Sequence, residues 1–358
     1  MSENPASDLF LSLTPERVLA AVEAGGLHVT GLCYPLNSFE NRVYEVELTD
    51  RSRVIAKFYR PGRWSEEQIL DEHRFLDDLA AEEIPVVPMR PFPTGHTLAR
   101  IEGIWYAIAD RRGGRAPGEL SDELALRLGR LAGRIHNVGA SRSAGARLRL
   151  TADLYIRDNL AWLKAHRIIP EHLELRYEAA ALGIAAAVDA AMAGVPIHRI
   201  HADLHLGNLL ERDGVLHVID FDDMAEGPAA QDVWLALSGR DAYALAQREL
   251  FLEGYRQFRE FDRSWLKLIE PLRGLRLVHY AAWLAKRWHD PAFPAAWPWF
   301  GTLDYWTRET DDLEEQLAVI RGEVAAAMSP EERALAGPAE EEAPVLTNKD
   351  LFWDWEGN

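Results

Sequence analysis

Apolar positions change their period along the chain, and the period sets which elements to expect. Near the start, Thr14 and Pro15 fit the cap and first turn of a short helix over residues 18–24. Residues 43–48 and 54–58 alternate apolar with polar side chains, as half-buried strands do, and Asp50-Arg51-Ser52 supplies a turn between them. Lys57 falls within the second strand. Ser65 followed by Gln68 is a capping-box signature, and it opens a helix on which Ile69, Glu72, His73 and Leu76 share one side. After a proline-rich extended stretch at 85–93, residues 104–109 read as another short strand.

From Arg111-Arg112-Gly113-Gly114-Arg115 onward the spacing is mainly helical, beginning with Leu124, Leu128, Leu131 and Ile135. The exception is the segment 200–223, where Leu209-Leu210 and residues 215–219 read as two short strands joined around Asp213-Gly214. Long helical patterns follow over 230–258, 265–288 and 303–327. The expectation is an α+β chain of two lobes. A small antiparallel-sheet lobe spans 1–110, a hinge lies near 110–114, a mainly helical lobe spans 111–328, and an acidic tail covers 329–358.

Composition narrows the possible partners. The chain has 358 residues, 48% of them apolar and 27% charged, which is an ordinary globular balance. Its 39 basic and 57 acidic residues leave a net charge of -18, of which the tail carries -6, and this surplus disfavours nucleic acid and anionic membranes as partners. Cys33 is the only cysteine, so an internal disulfide and any zinc site needing two thiolates are excluded. A reducing cytoplasm is the expected location and a monomer the expected state. The nearest approach to a membrane span, residues 179–195, contains Asp189 and two glycines and reads as a soluble helix.

The candidate chemistry lies in His201-Ala202-Asp203-Leu204-His205-Leu206-Gly207-Asn208 and in Val218-Ile219-Asp220-Phe221-Asp222-Asp223. Phosphoryl transfer from ATP needs a carboxylate near the acceptor hydroxyl and oxygen ligands for Mg2+. Asp203 meets the first need, and Asn208 with Asp220 meets the second. Catalytic roles thus fall to Asp203 and Asp220, and metal ligation to Asn208 and Asp220. A strand lysine oriented by a helix acid is also required, which Lys57 and Glu72 supply; Glu66, Glu67 and Asp71 are alternative partners for Lys57. No glycine-rich loop lies between the first strands. Asn37-Ser38-Phe39-Glu40-Asn41-Arg42 takes its place, where a hydroxyl or amide could meet phosphate. The competing chemistry is a metal-dependent hydrolase built on His201, Asp203 and His205, with His198 or His217; it leaves Asn208 and the run from Asp220 to Asp223 without a role.

With these residues in place, the chain resembles the aminoglycoside phosphotransferase and choline kinase branch of the protein-kinase-like fold, and within it the bacterial stress response kinase A family. The narrower resemblance rests on Leu36-Asn37-Ser38-Phe39-Glu40-Asn41-Arg42-Val43-Tyr44, on Ala56-Lys57-Phe58-Tyr59-Arg60-Pro61-Gly62-Arg63-Trp64, and on Arg287-Trp288-His289-Asp290-Pro291-Ala292-Phe293-Pro294. It extends over about residues 8–320. The resemblance implies a cytoplasmic serine/threonine protein kinase using ATP and Mg2+ in stress survival, with a small-molecule alcohol kinase or a non-catalytic nucleotide-binding regulator as alternatives. It implies that Asp203 accepts the proton, that Asn208 and Asp220 bind Mg2+, and that Ser38, Lys57 and Glu72 serve the nucleotide. It also implies that Asp232 braces the catalytic loop. Ala202 stands where that family is expected to carry glycine, which matters only if the loop requires a glycine-type angle. The interval from Asp220 to Asp232 is too short for an activation loop. Most of the aromatic residues between Trp283 and Trp306 are expected in the core, with proline-flanked Trp297 and Trp299 exposed towards a substrate.

Overall fold

A computed structural model describes residues 9–10, 13–36 and 38–323; the acidic tail expected from 329 lies outside the described residues, as does Asn37. Five strands, β1 (Val29–Pro35), β2 (Arg42–Leu48), β3 (Arg53–Phe58), β4 (Ala99–Ile101) and β5 (Ile104–Asp110), form one antiparallel sheet in the order β1-β2-β3-β5-β4. The period of the central strand decides where Lys57 goes. Val54, Ala56 and Phe58 are buried in a core shared with Val18, Ala21 and Val22 of helix α1 (Pro15–Ala24). Lys57, paired in register with Ala107 on β5, therefore takes the opposite face. Helix α2 (Glu66–Ala81) carries the other half of its ion pair and is opened by the expected capping box, with Ser65 and Gln68 bonding reciprocally. Its buried positions are Ile69, Asp71, Glu72, His73, Phe75, Leu76 and Leu79, so the polar run Asp71-Glu72-His73 lies among apolar residues.

The rest of the chain is mainly helical: α3 (Asp122–Gly139), α4 (Asp158–Ala165), α5 (Glu171–Met192), α6 (Ala229–Ala236), α7 (Ala242–Arg256), α8 (Ile269–Arg287), α9 (Ala292–Ala296) and α10 (Leu303–Arg321). Helices α3 and α7 cross almost backbone to backbone. A Cβ on Gly129 would lie 1.9 Å from the Phe251 carbonyl oxygen, and one on Gly254 would lie 2.1 Å from that of Leu126. Two small sheets interrupt the helices. β6 (His198–Ile200) pairs with β9 (Ala225–Gly227), and β7 (Leu209–Arg212) pairs with β8 (Val215–Val218). The β7–β8 hairpin turns at Asp213-Gly214, whose φ of 52° and 78° are the positive angles that a two-residue turn of this hand requires. Among the described residues, no helix is long and apolar enough to cross a membrane.

Two helical stretches differ from the expectation. Residues 230–258 form α6 and α7 rather than one helix, because the chain turns out at Leu237 and Asp241 then caps α7 by accepting from the Ala244 N–H at 2.7 Å. Residues 265–288 begin as a 3-10 turn, Arg263–Leu268, and become α-helical only at Ile269. Pro271 then falls in the first turn of α8, where its missing N–H costs nothing.

Three histidines, His73 and His198 buried and His279 half-buried, contribute to the acid side of stability. Burial, followed by neighbouring positive charge, lowers His73 and His279 to about 3 and His198 to about 2. Unfolded rings protonate near pH ~6.5, so the folded state takes up fewer protons below that pH. Stability is therefore full above about pH 6.5 and falls as pH drops, by about 1.4 kcal/mol per pH unit for each ring. His198 has no hydrogen-bond partner on either ring nitrogen and stacks edge-on against His136 at 4.9 Å. His198→Phe should flatten the acid slope by one histidine without lowering the melting temperature at neutral pH. Melting curves of both proteins across about pH 7 to 5 check this, and parallel curves would refute it.

Candidate active site

The segment from His201 to Asn208 joins β6 to β7, and α6 holds it from behind. Asp232 is fully buried; its Oδ2 accepts the backbone N–H of His201 at 2.9 Å and its Oδ1 that of Ala202 at 2.8 Å. His136 of α3 reaches the same Oδ2 at 3.0 Å, and Gln231 donates to the Ala202 carbonyl at 3.2 Å. Held in this way, Ala202 adopts φ of +67°. The loop thus does use a left-handed angle at this position, and alanine bears it at a cost of about 1–2 kcal/mol. The His201 ring adds a second tether. Nε2 donates to the Ile219 carbonyl at 2.9 Å while Nδ1 accepts the Asp203 N–H at 3.2 Å, which fixes the neutral tautomer.

Asp203 and Asn208 are brought together by this loop. Asn208 Nδ2 donates to the Asp203 carbonyl at 2.9 Å and lies 3.4 Å from its Oδ2, so Asn208 keeps Oδ1 as an oxygen ligand. Burial pushes the Asp203 carboxyl up, but Arg276 of α8, at 2.8 Å from Oδ1, and His205, at 3.4 Å from Oδ2, pull it well below the usual carboxylate range. Asp220 follows Ile219 in a left-handed conformation, φ 59°, with a half-exposed carboxylate 3.5 Å from Lys57 Nζ.

Lys57 is the centre of a buried ionic cluster. Its Nζ lies 3.0 Å from Glu72 Oε1 and 3.0 Å from Asp222 Oδ1. Burial opposes its charge, yet Asp222 and Glu72 hold its pKa well above the usual lysine value. Glu72 is thereby the partner among the four candidate acids. Asp71 instead accepts the backbone N–H groups of Ala146 and Arg147, and Glu66 and Glu67 occupy the exposed first turn of α2. The second Glu72 oxygen binds Arg147 at 3.1 Å, Arg147 donates to the Asp222 carbonyl at 2.7 Å, and Arg63 pairs with both Asp222 and Asp223.

The loop that stands in for a glycine-rich turn is bound to the helical half. Both Glu40 carboxylate oxygens are engaged: Trp283 Nε1 lies 2.7 Å from Oε2, and Arg287 lies 3.0 Å from Oε1 and 2.6 Å from Oε2. Arg60, on the segment after β3, donates to the carbonyls of Phe39 and Glu40 at 2.9 Å each and to Asp290 at 2.9 Å. The Phe39 ring packs on Trp297 at 4.7 Å. Trp297 is therefore a correction to the sequence expectation: it is 3% exposed, because it closes the core beneath the loop instead of facing a substrate. Ser38 stands on this loop, half-buried, immediately before the latched pair.

Residues 34–269 match the phosphotransferase enzyme family. The chain belongs to that family. It is 38% identical over 319 residues to stress response kinase A of Escherichia coli strain K12, covering 89% of this chain and 97% of that one. It is likewise 38% identical over 312 residues, 87% of this chain and 94% of the other, to serine/threonine protein kinase RdoA of Salmonella typhimurium. Among solved structures, amicoumacin kinase hAmiN in complex with AMP-PNP and Ca2+ superposes with a TM-score of 0.68 at 20% identity, covering 86% of this chain and 96% of that chain.

The structure of this phosphotransferase gathers Lys57, Glu72 and Asp220 in one chain of ion pairs and joins Asp203 to Asn208 by a hydrogen bond. It gives the rival hydrolase set no common centre. His201 and His205 each turn a ring nitrogen to the backbone, His198 faces His136, and among the described residues no group of three or more His, Cys, Asp or Glu is placed to hold a metal ion. Sequence reasoning missed Glu40, Arg60, Arg63, Arg147, Arg276 and Asp290. Four of these lie inside the three motifs that carried the resemblance, and those motifs meet in space at Glu40, Arg60 and Asp290. Arg147 and Arg276 have no local signal at all.

Two substitutions test this architecture. Ala202→Gly should relieve the left-handed strain and raise stability by about 1 kcal/mol, read as a higher denaturation midpoint at unchanged slope. Asp290→Ala leaves buried Arg60 with Glu40, at 3.2 Å, as its remaining carboxylate and takes the partner from Arg42, and it should cost about 2–3 kcal/mol. Chemical denaturation measures both, and a loss below about 1 kcal/mol for Asp290→Ala would mean that the latch is only a surface contact.

Proposed function

We propose that this phosphotransferase transfers the terminal phosphoryl group of MgATP to serine or threonine hydroxyls of protein, as a cytoplasmic monomer acting in stress response. The observation that carries the proposal is how Ile219 couples the two halves of the site. Its carbonyl accepts from His201 and its N–H donates to the Asn208 carbonyl at 3.0 Å, so Asp203, Asn208 and Asp220 are set by one short network. The identity with stress response kinase A and with a serine/threonine protein kinase supports the acceptor class.

Bound MgATP would supply the transferable phosphoryl group and neutralise its charge. Lys57, oriented by Glu72, carries positive charge to the phosphates, and Ser38 offers a hydroxyl from the latched loop. The Asn208 Oδ1 and the half-exposed Asp220 carboxylate are hard oxygen donors of the kind Mg2+ takes, two protein ligands with the rest left to water and phosphate. Asp203 orients the acceptor hydroxyl and receives its proton. Arg276 and His205 on its carboxylate keep Asp203 ionised, so it is ready to accept the hydrogen bond of the hydroxyl and to position it. That suits a loose transfer in which the hydroxyl proton leaves late.

A small-molecule alcohol is the second acceptor class, favoured by the fold shared with amicoumacin kinase. An acceptor screen with labelled ATP separates the two. Proteins or Ser/Thr peptides should be labelled faster than small alcohols. Asp203→Ala should lower transfer by about 10²- to 10⁴-fold while leaving MgATP affinity nearly unchanged. Undiminished transfer by Asp203→Ala, or a small alcohol labelled far faster than any protein, would overturn the proposal.

A further inference from the structure

One stripe of α8 runs along the site. Arg276, Tyr280, Trp283 and Arg287 recur at helical spacing, so they share a face, and over these 11 positions the helix rises about 16 Å. At one end Arg276 binds Asp203, and at the other Trp283 and Arg287 bind Glu40. The stripe thus links the carboxylate that would receive the acceptor to the loop that would cover the phosphates. Its charge is one-sided. Both ionised members are arginines, and Lys286 lies beside them. His279, on the same side, is half-buried, and desolvation followed by the positive charge of Arg276, Arg287, Lys286 and Arg63 lowers it and keeps it neutral.

Most acids that could offset this charge are committed, and exposed Asp158 acts on Lys286, ten residues along α8 from Arg276. Glu40 is taken by Arg287, Asp223 by Arg63, and Asp203 by Arg276 itself. The Arg276 side chain is about a quarter exposed, as is Asp203 beside it, so an acceptor presenting its hydroxyl to Asp203 comes within reach of the guanidinium charge. An ammonium group close to that hydroxyl would meet a like charge and find no unpaired carboxylate on α8. A carboxylate or phosphate close to the hydroxyl would meet an attractive one.

We propose that Arg276 is a specificity-determining residue that selects acceptors by charge, favouring hydroxyls flanked by anionic groups and rejecting those carried on ammonium compounds. The inference rests on the phosphotransfer to protein hydroxyls proposed above and narrows its substrate class to acidic Ser/Thr segments.

The test uses the full chain and labelled ATP with Ser/Thr peptides that differ only in flanking residues, acidic, neutral or basic, together with a small amino alcohol. In the wild type, kcat/KM for the acidic peptide should exceed that for the basic one by about tenfold or more. Arg276→Lys should keep most of that ratio, and Arg276→Gln should shrink it to within about threefold even where the absolute rate falls. A ratio between peptides is independent of how much variant protein is folded, so a purely structural role for Arg276 leaves it unchanged. A wild type that labels the basic peptide or the amino alcohol as fast as the acidic peptide overturns the charge selection alone, and so does an unaltered ratio in Arg276→Gln. Failure to label any peptide or alcohol would overturn the phosphotransfer proposal itself, and the selection with it.

Discussion

The structure depends on a rule about charge: an ionised group taken out of water must meet its opposite within a few ångströms or become neutral. Lys57, Glu72, Asp222 and Arg147 are all buried, and each is paired with at least one of the others. The sheet half supplies Lys57, Arg63 and Glu72, while the helical half supplies Arg147, Asp222 and Asp223. Within the sheet half Lys57 and Glu72 pair with each other, but Asp222 on Lys57, Arg147 on Glu72, and Asp222 and Asp223 on Arg63 all come from the helical half. The two are thereby held in one arrangement, and Asp220, two residues before Asp222, is carried to the side of Lys57 by the same requirement.

A second set of contacts works at the outer edge of the cleft. Glu40, Arg60, Arg287 and Asp290 join the β1–β2 loop to the end of α8, and Phe39 seals the joint on Trp297. Kinase-type sites commonly use a flexible glycine-rich turn in this place, in which backbone amides follow the phosphates. Here the loop has side chains and is anchored through them, so its position is set by the helical half and not by its own flexibility. Asp232 does similar work at the base of the site, where its two oxygens hold consecutive backbone N–H groups and impose a left-handed angle on Ala202. Such strain persists only where surrounding bonds over-determine it, and His136, Gln231 and His201 supply those bonds.

Much of this was legible in the chain because the relevant signals are local. Strand alternation placed Lys57, the capping box placed the helix of Glu72, and the spacing from Asp203 to Asn208 placed the loop, since each depends on residues only a few positions apart. The illegible parts depend on distance in sequence. Arg147 and Arg276 look like surface arginines in their own windows, and only packing shows that each closes a charge from another segment. Trp297 was misjudged for a related reason: proline on its C-terminal side suggested an exposed turn, whereas the ring fills the space beneath Phe39. The break between α6 and α7 was visible only as Ser238-Gly239 ahead of a capping aspartate, a weak signal inside a longer helical pattern.

The sequence by itself determined the classes of element and the family, and it named the candidate groups for phosphoryl transfer, because these follow from periodicity and from residue types at short spacing. Tertiary structure decided which acid serves Lys57, that Ala202 must adopt a left-handed angle, that three separated motifs form one latch, and that a guanidinium sits on the candidate base. These are matters of which charge is buried against which. Pairing of buried charges is settled by the proximity of segments up to 247 residues apart, and no local pattern encodes it.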